Sequence, residues 1–188
     1  MLDGRDITGQ PGNISYMLQK DLLLPYRTIE DNVALPLLIK GENKKAARQK
    51  AGELFQEFGL EGTQKKYPKQ LSGGMRQRAA LIRTLALSPD ILLLDEPFSA
   101  LDYQTRLRVS DDIGTIIKEK KKTALLVTHD LSEAISMADR VIVLSKRPGT
   151  VKTIVPIHLT CEKKTPQAAR NAVEFKDYFN QLWREIND

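Results

Sequence analysis

Two segments carry residues whose types and spacing could do chemistry. In Leu71-Ser72-Gly73-Gly74-Met75 the glycines let a backbone approach a ligand closely, the serine adds a hydroxyl, and Arg76-Gln77-Arg78 follows at the start of a helical pattern. A helix N-terminus offers oriented N–H groups and positive potential, so the segment suits an anion. Ser72 could equally serve only as a helix cap. In the second segment Ile91, Leu92, Leu93 and Leu94 run directly into Asp95-Glu96-Pro97. An apolar strand ending in carboxylates places them at the C-terminal edge of a parallel sheet, where ligands bind in such folds. There Asp95 could hold Mg²⁺ through oxygen, and Glu96 could orient or deprotonate an attacking water. Two solvated turn carboxylates are the bland alternative. His129 follows an apolar strand immediately, whereas His158, between Ile157 and Leu159, has no such context and stays unassigned.

The elements that must position these residues follow from periodicity. Ala47, Ala51, Leu54, Phe55 and Phe58 recur at helical spacing and predict an amphipathic helix over 44–58, closed by Gly59. A second helix starts near Gly74, carries Ala79, Ala80, Ile82 and Leu85, and stops before Pro89. After the strand at 91–94, Val109, Ile113, Ile116 and Ile117 predict a helix from about Gln104 into a lysine-rich end. Then come a strand over 123–128, a short helix over 130–138, a strand over 140–144, a turn at Pro148-Gly149 and an extended stretch over 150–155. Residues 162–166 read as a polar linker, before a terminal helix with Val173, Phe175, Phe179 and Trp183 as docking residues. Short apolar strands alternating with amphipathic helices give the α/β class, with a parallel sheet covered by helices on both faces.

Composition narrows the function. A chain of 188 residues with 41% hydrophobic residues predicts one globular domain. No apolar run approaches the roughly 18 residues that cross a bilayer, and the N-terminus does not read as a secretory signal, so a cytoplasmic location is expected. Cys161 is a lone cysteine, which excludes an internal disulfide and a cysteine metal site. The net charge of +5 is spread over scattered lysines with no interleaved aromatics, so no nucleic-acid partner is expected.

In order, the chain shows Gln19 after a strand at 14–18, the serine-glycine segment at 71–75, the strand and carboxylates at 91–97, Ser99-Ala100-Leu101-Asp102, and Thr128-His129-Asp130. This series resembles the ABC ATPases throughout, a P-loop NTPase type of parallel sheet with an added helical subdomain. The resemblance implies ATP and Mg²⁺ as cofactors. Gln19 is similar to the glutamine that touches Mg²⁺ and the attacking water. Ser72, Gly73 and Gly74 are similar to the signature that grips the γ-phosphate of ATP on the opposite subunit. Asp95 corresponds to the Walker B aspartate, Glu96 to the catalytic glutamate, Asp102 to the aspartate at the dimer interface, and His129 to the switch histidine. An ATPase domain over 1–160 is implied, with a helical subdomain at about 22–88, and 161–188 as linker and terminal helix. The segment 22–32 resembles the surface that receives transmembrane permease subunits. Further implied partners are a second ATPase subunit and, indirectly, a periplasmic or extracellular substrate-binding protein, with the chain peripheral on the inner face of the membrane. Together with Arg147-Pro148-Gly149 and the aromatic terminal helix, 22–32 is similar to the nitrate, sulfonate and taurine importers.

One motif of that family is not found in residues 1–188. A P-loop needs Gly-x-x-x-x-Gly-Lys-Ser/Thr, and neither Gly9-Gln10-Pro11-Gly12 nor Gly41-Glu42-Asn43-Lys44-Lys45 has that spacing and hydroxyl. The expectation is an N-terminally truncated ATPase lacking Walker A and the first strands, poor at holding ATP alone. A different class of function is a non-catalytic partner that supplies only its signature in trans. A DNA-repair ATPase is disfavoured, because the short stretch between Gln19 and Leu71 leaves no room for a long coiled coil.

Overall fold

Apolar runs form three strands, β1 (Ile14–Met17), β2 (Ile91–Asp95) and β3 (Thr123–Val127), in a parallel sheet ordered β1-β2-β3. The computed structural model describes residue 4 and residues 6–9, 14–162 and 165–187. These fall into two units, Met1–Arg106 with Lys121–Val127, and Leu107–Lys120 with Thr128–Asp188.

In the first unit the sheet is joined by three helices, α1 (Ile29–Ile39), α2 (Lys44–Glu57) and α3 (Gly73–Leu85). The helices pack on one another, and α3 also reaches β1. α2 and α3 lie where the periodicity predicts them. α1 is not signalled, because Pro36 interrupts the pattern from inside the helix. Thr28 caps it by accepting from the Asp31 N–H. Buried Asn32 then ties the preceding loop down: its Oδ1 accepts from Leu24 N–H, and its Nδ2 donates to the carbonyls of Leu24, Arg27 and Thr28. Within 22–32, Leu23 and Ile29 are therefore core while Leu22 and Tyr26 face outward. Leu92 and Leu94 of β2 are buried, but in β3 Leu125 and Val127 are 52% and 53% exposed. Among the described residues β3 pairs only with β2, and its apolar composition does not translate into burial.

α4 (Tyr103–Glu119) has its first turn in the first unit and its remainder in the second. The second unit adds α5 (Leu131–Met137), an antiparallel pair β4 (Arg140–Leu144) and β5 (Val151–Pro156), α6 (Pro166–Arg170) and α7 (Phe175–Asn187). Its core is Ile135, Val143, Val155, Ile157 and Leu182.

Two segments near the C-terminus differ from the expectation. The polar stretch 162–166 does not run as a linker to its end: Thr165 caps a helix by accepting from Ala168 N–H, and Pro166, buried, opens α6. Residues 163 and 164 lie outside the described residues. In α7 the docking residue is Leu182, fully buried, on a stripe with Phe175, Tyr178 and Phe179. Trp183 stays 57% exposed and stacks on Phe179 one turn earlier, and Val173 is exposed ahead of the helix.

Gly114 marks where α4 meets α6. A Cβ there would stand 2.6 Å from Cγ of Pro166, whose buried ring cannot swing away. Beside it Arg170 bonds Asp111 at 3.0 Å and the Ser110 hydroxyl at 2.8 Å. Gly114→Ala is expected to destabilise by about 1–2 kcal/mol in urea unfolding, the overpacking outweighing the roughly 1 kcal/mol gained in helix propensity. Stabilisation would contradict this packing.

Candidate functional site

The site is assembled from the ends of elements. β2 terminates at Asp95, and the chain leaves the strand by placing Glu96 at φ +43°. A left-handed backbone is unusual for a residue with a side chain, and it is held here because the Glu96 N–H donates to Val127 O at 2.8 Å. The Ser99 hydroxyl donates to Glu96 O at 3.0 Å, closing the turn from its other side.

β1 delivers two donors to the two carboxylates. Gln19, just past the strand, donates Nε2 to Glu96 Oε2 at 3.1 Å and to Ser99 Oγ at 3.4 Å. The hydroxyl of Tyr16, within the strand, donates to Asp95 Oδ2 at 3.1 Å. That bond to the carboxylate lifts the phenol above its ordinary titration range, because ionising it would break the bond and set two anions together.

Ser72 sits at the N-terminus of α3, where its Oγ accepts from Met75 N–H at 3.3 Å. The cap function is therefore real, and it leaves the first-turn N–H groups of Gly73 and Gly74 at the helix start. Gly73 lies against Leu101: a Cβ on it would be 3.5 Å from Cδ2 of that residue. The serine-glycine segment thus meets the 99–102 motif. Asp102 caps α4 by accepting from Thr105 N–H at 3.0 Å, and the Thr105 bonds hold its carboxyl below the usual range.

α3 also fixes the chain that follows Gln19. Arg83 donates to the carbonyls of Asp21 and Leu22 at 2.6 and 2.7 Å, with Leu22 at φ +47°. Arg76 bonds the Asp21 carboxylate at 3.1 Å and Leu71 O at 3.3 Å. Side chains of one helix therefore hold the segment after Gln19, while its N-terminus carries Ser72, Gly73 and Gly74.

The first unit accordingly brings together Gln19, Asp95 and Glu96, and sets Ser72, Gly73 and Gly74 beside the turn that leads to Asp102. His129 belongs to the second unit, exposed and one residue ahead of Asp130, the cap of α5. His158 donates its N–H to Tyr178 Oη at 3.1 Å, a structural role. Sequence reasoning passed over Tyr16 and Ser99. Alternation in β1 puts Tyr16 on the face opposite buried Ser15 and Met17, which was a usable signal for Tyr16.

No cluster of three or more His, Cys, Asp or Glu side chains suited to a metal occurs among the described residues. Mg²⁺ does not require one. It is bound through one or two carboxylates with phosphate and water completing its shell, and Asp95 with the amide oxygen of Gln19 fits that donor chemistry.

A family model described as ABC transporter matches residues 1–99. The chain is similar to the ABC transporter ATP-binding protein YtlC of Bacillus subtilis, 47% identical over 187 residues, covering 100% of this chain and 72% of that protein. It is 38% identical over 186 residues to the nitrate import ATP-binding protein NrtD of Synechocystis sp., covering 99% of this chain and 70% of that protein. With the aliphatic sulfonates import ATP-binding protein SsuB of Bacillus licheniformis the identity is 42% over 158 residues, 84% of this chain and 61% of that protein. Among solved structures it resembles the dimeric post-hydrolysis state of the ATP-binding cassette MJ0796 bound to ADP and Pi. That match has 33% identity and a TM-score of 0.66, over 78% of this chain and 63% of that chain.

Proposed function

The chain belongs to the ABC transporter family of ATP-hydrolysing subunits, and from that membership we propose that it energises uptake through transmembrane permease subunits. The observation that carries this reading is the head of the sheet, where Gln19 bonds Glu96 and Tyr16 bonds Asp95. Asp95, with Gln19, would hold Mg²⁺, which supplies charge neutralisation at the phosphates when bound. Gln19 holds the Glu96 carboxylate through Oε2, and that carboxylate accepts a proton from the water that attacks ATP, giving ADP and phosphate. Ser72, Gly73 and Gly74 present hydroxyl and N–H donors to the γ-phosphate of ATP carried by a second subunit. His129 contacts that phosphate class in its own subunit, and Asp102 lies at the subunit interface.

The ATPase domain is taken to cover 1–160, with its helical subdomain at about 22–88, and 161–188 lead into the C-terminal helix, whose Leu182 packs in a core with Ile135, Val143, Val155 and Ile157. No helix among the described residues is long and apolar enough to cross a membrane, and in this reading the chain docks on permease subunits at the inner face. The nitrate, sulfonate and taurine group of importers supplies the solute class. The test is ATP-dependent uptake of labelled nitrate, taurine or an alkanesulfonate by proteoliposomes holding the permease and this chain joined to a phosphate-gripping loop. Uptake that ignores the subunit would overturn the reading.

A second reading is favoured by one observation, that residues 1–188 contain no Gly-x-x-x-x-Gly-Lys-Ser/Thr. These residues then serve as a partner that completes one composite site in trans. An intact relative, its own catalytic glutamate replaced so that ATP persists, should form a hybrid dimer with this chain only when ATP is present. Ser72→Arg should abolish it, and an ATP-independent complex would count against the signature's role.

A further inference from the structure

β1 contributes a donor to each of two consecutive carboxylates, and only the glutamine has a role so far. Register explains the other. Tyr16 pairs with Leu93, so Asp95 lies one diagonal step further along β2. Burial alternates in both strands, with Ser15, Met17, Leu92 and Leu94 inward and Tyr16, Leu93 and Asp95 on the opposite, more open face. With strands about 4.8 Å apart and a rise of about 3.3 Å per residue, a parallel-strand neighbour two residues on stands about 8 Å away, a span an aromatic side chain bridges. The Tyr16 ring makes that reach while remaining 54% exposed, and its hydroxyl arrives on Oδ2 of Asp95 at 3.1 Å. A large apolar ring left half in water, with its one polar atom on a carboxylate, is placed by that bond and not by core packing.

We propose that Tyr16 is a positioning residue for the cation site: its hydroxyl fixes the Asp95 carboxylate through Oδ2 and leaves Oδ1 for the divalent cation. This rests on the reading of Asp95 as the Mg²⁺ ligand. An Asp side chain at a strand end samples rotamers, and a hydrogen bond to an ionised acceptor both selects one and keeps its strength in a partly hydrated setting. Outer donors of this kind orient metal ligands, and their loss typically weakens metal binding by about 10- to 100-fold. The half-exposed bond belongs at the lower end of that range. Gln19 and Tyr16 then act as a pair, one on the carboxylate that handles water and one on the carboxylate that handles the cation.

The experiment is a Mn²⁺ titration of the full chain, without nucleotide, followed by electron paramagnetic resonance. It uses Tyr16→Phe, Asp95→Asn and the double variant, each checked for an unchanged thermal transition. Phenylalanine keeps the ring and deletes one oxygen. The expected result is about tenfold weaker Mn²⁺ binding for Tyr16→Phe, and no further loss when it is added to Asp95→Asn. Wild-type affinity in Tyr16→Phe, with the site lost in Asp95→Asn, overturns the proposal and leaves the Asp95 reading intact. Equal tenfold losses in both backgrounds overturn it too, since they would mark a structural effect. Absent Mn²⁺ binding, or binding indifferent to Asp95→Asn, overturns the cation-site reading and the proposal with it.

Discussion

Joined to a phosphate-gripping loop that residues 1–188 do not contain, the chain should hydrolyse ATP, and Glu96→Gln should lower that rate by about 10²–10⁴-fold. The geometry supplies the reason. Glu96 is pinned from three directions, by its N–H on Val127 O, by the Ser99 hydroxyl on its own carbonyl and by Gln19 on Oε2. Glutamine keeps the volume and the left-handed backbone but cannot take a proton from water, so the substitution removes chemistry and leaves the fold. A polypeptide of residues 1–188 alone should release phosphate at background, with or without Glu96, because water activation needs an anchored phosphate to act on. Phosphate release measured on the four proteins decides it. Glu96-dependent turnover by the 188-residue chain, or indifference to Glu96→Gln in the joined chain, would refute this assignment.

Leu182→Ala is expected to cost about 2–5 kcal/mol, and Trp183→Ala under about 1 kcal/mol. Leu182 is fully buried in the core formed with Ile135, Val143, Val155 and Ile157, so truncation leaves a cavity among side chains that have little room to close it. Trp183 loses only its stacking on Phe179, with centroids 6.3 Å apart, on an exposed surface. Denaturant unfolding followed by circular dichroism separates the two. A larger loss for Trp183→Ala would mean that α7 docks through its aromatic face.

The pair of neighbours at 182 and 183 shows how the pattern was readable and how attention to residue type misled. Phe175, Tyr178, Phe179 and Leu182 fall at i, i+3, i+4 and i+7, the spacing of a docking stripe. The expected set of Val173, Phe175, Phe179 and Trp183 shares only Phe175 and Phe179 with the residues that pack on the core. α6 was lost for a related reason. Its five residues are too few for a periodic signal, and the Thr165 cap with Pro166 at the first position was the only notice of it.

What the sequence determined alone is whatever depends on near neighbours. Ser72 reaches Met75, Asp102 reaches Thr105 and Asp130 reaches Ser132, caps that close within three residues and can be read from type and spacing. The strand ending in Asp95 and Glu96 is equally local, as is the amphipathic face of α2. Tertiary structure decided what those residues meet. Tyr16 and Gln19 contact Asp95 and Glu96 across 79 and 77 positions of chain. Those contacts require β1 to lie beside β2 in one particular register, and a slip by one residue would turn Tyr16 to the buried face. Periodicity tells which face of an element is apolar but carries no information on which element lies next to it. The exposure of β3 has the same origin: its side chains favour burial, while what packs on the faces of the sheet decides whether anything covers them.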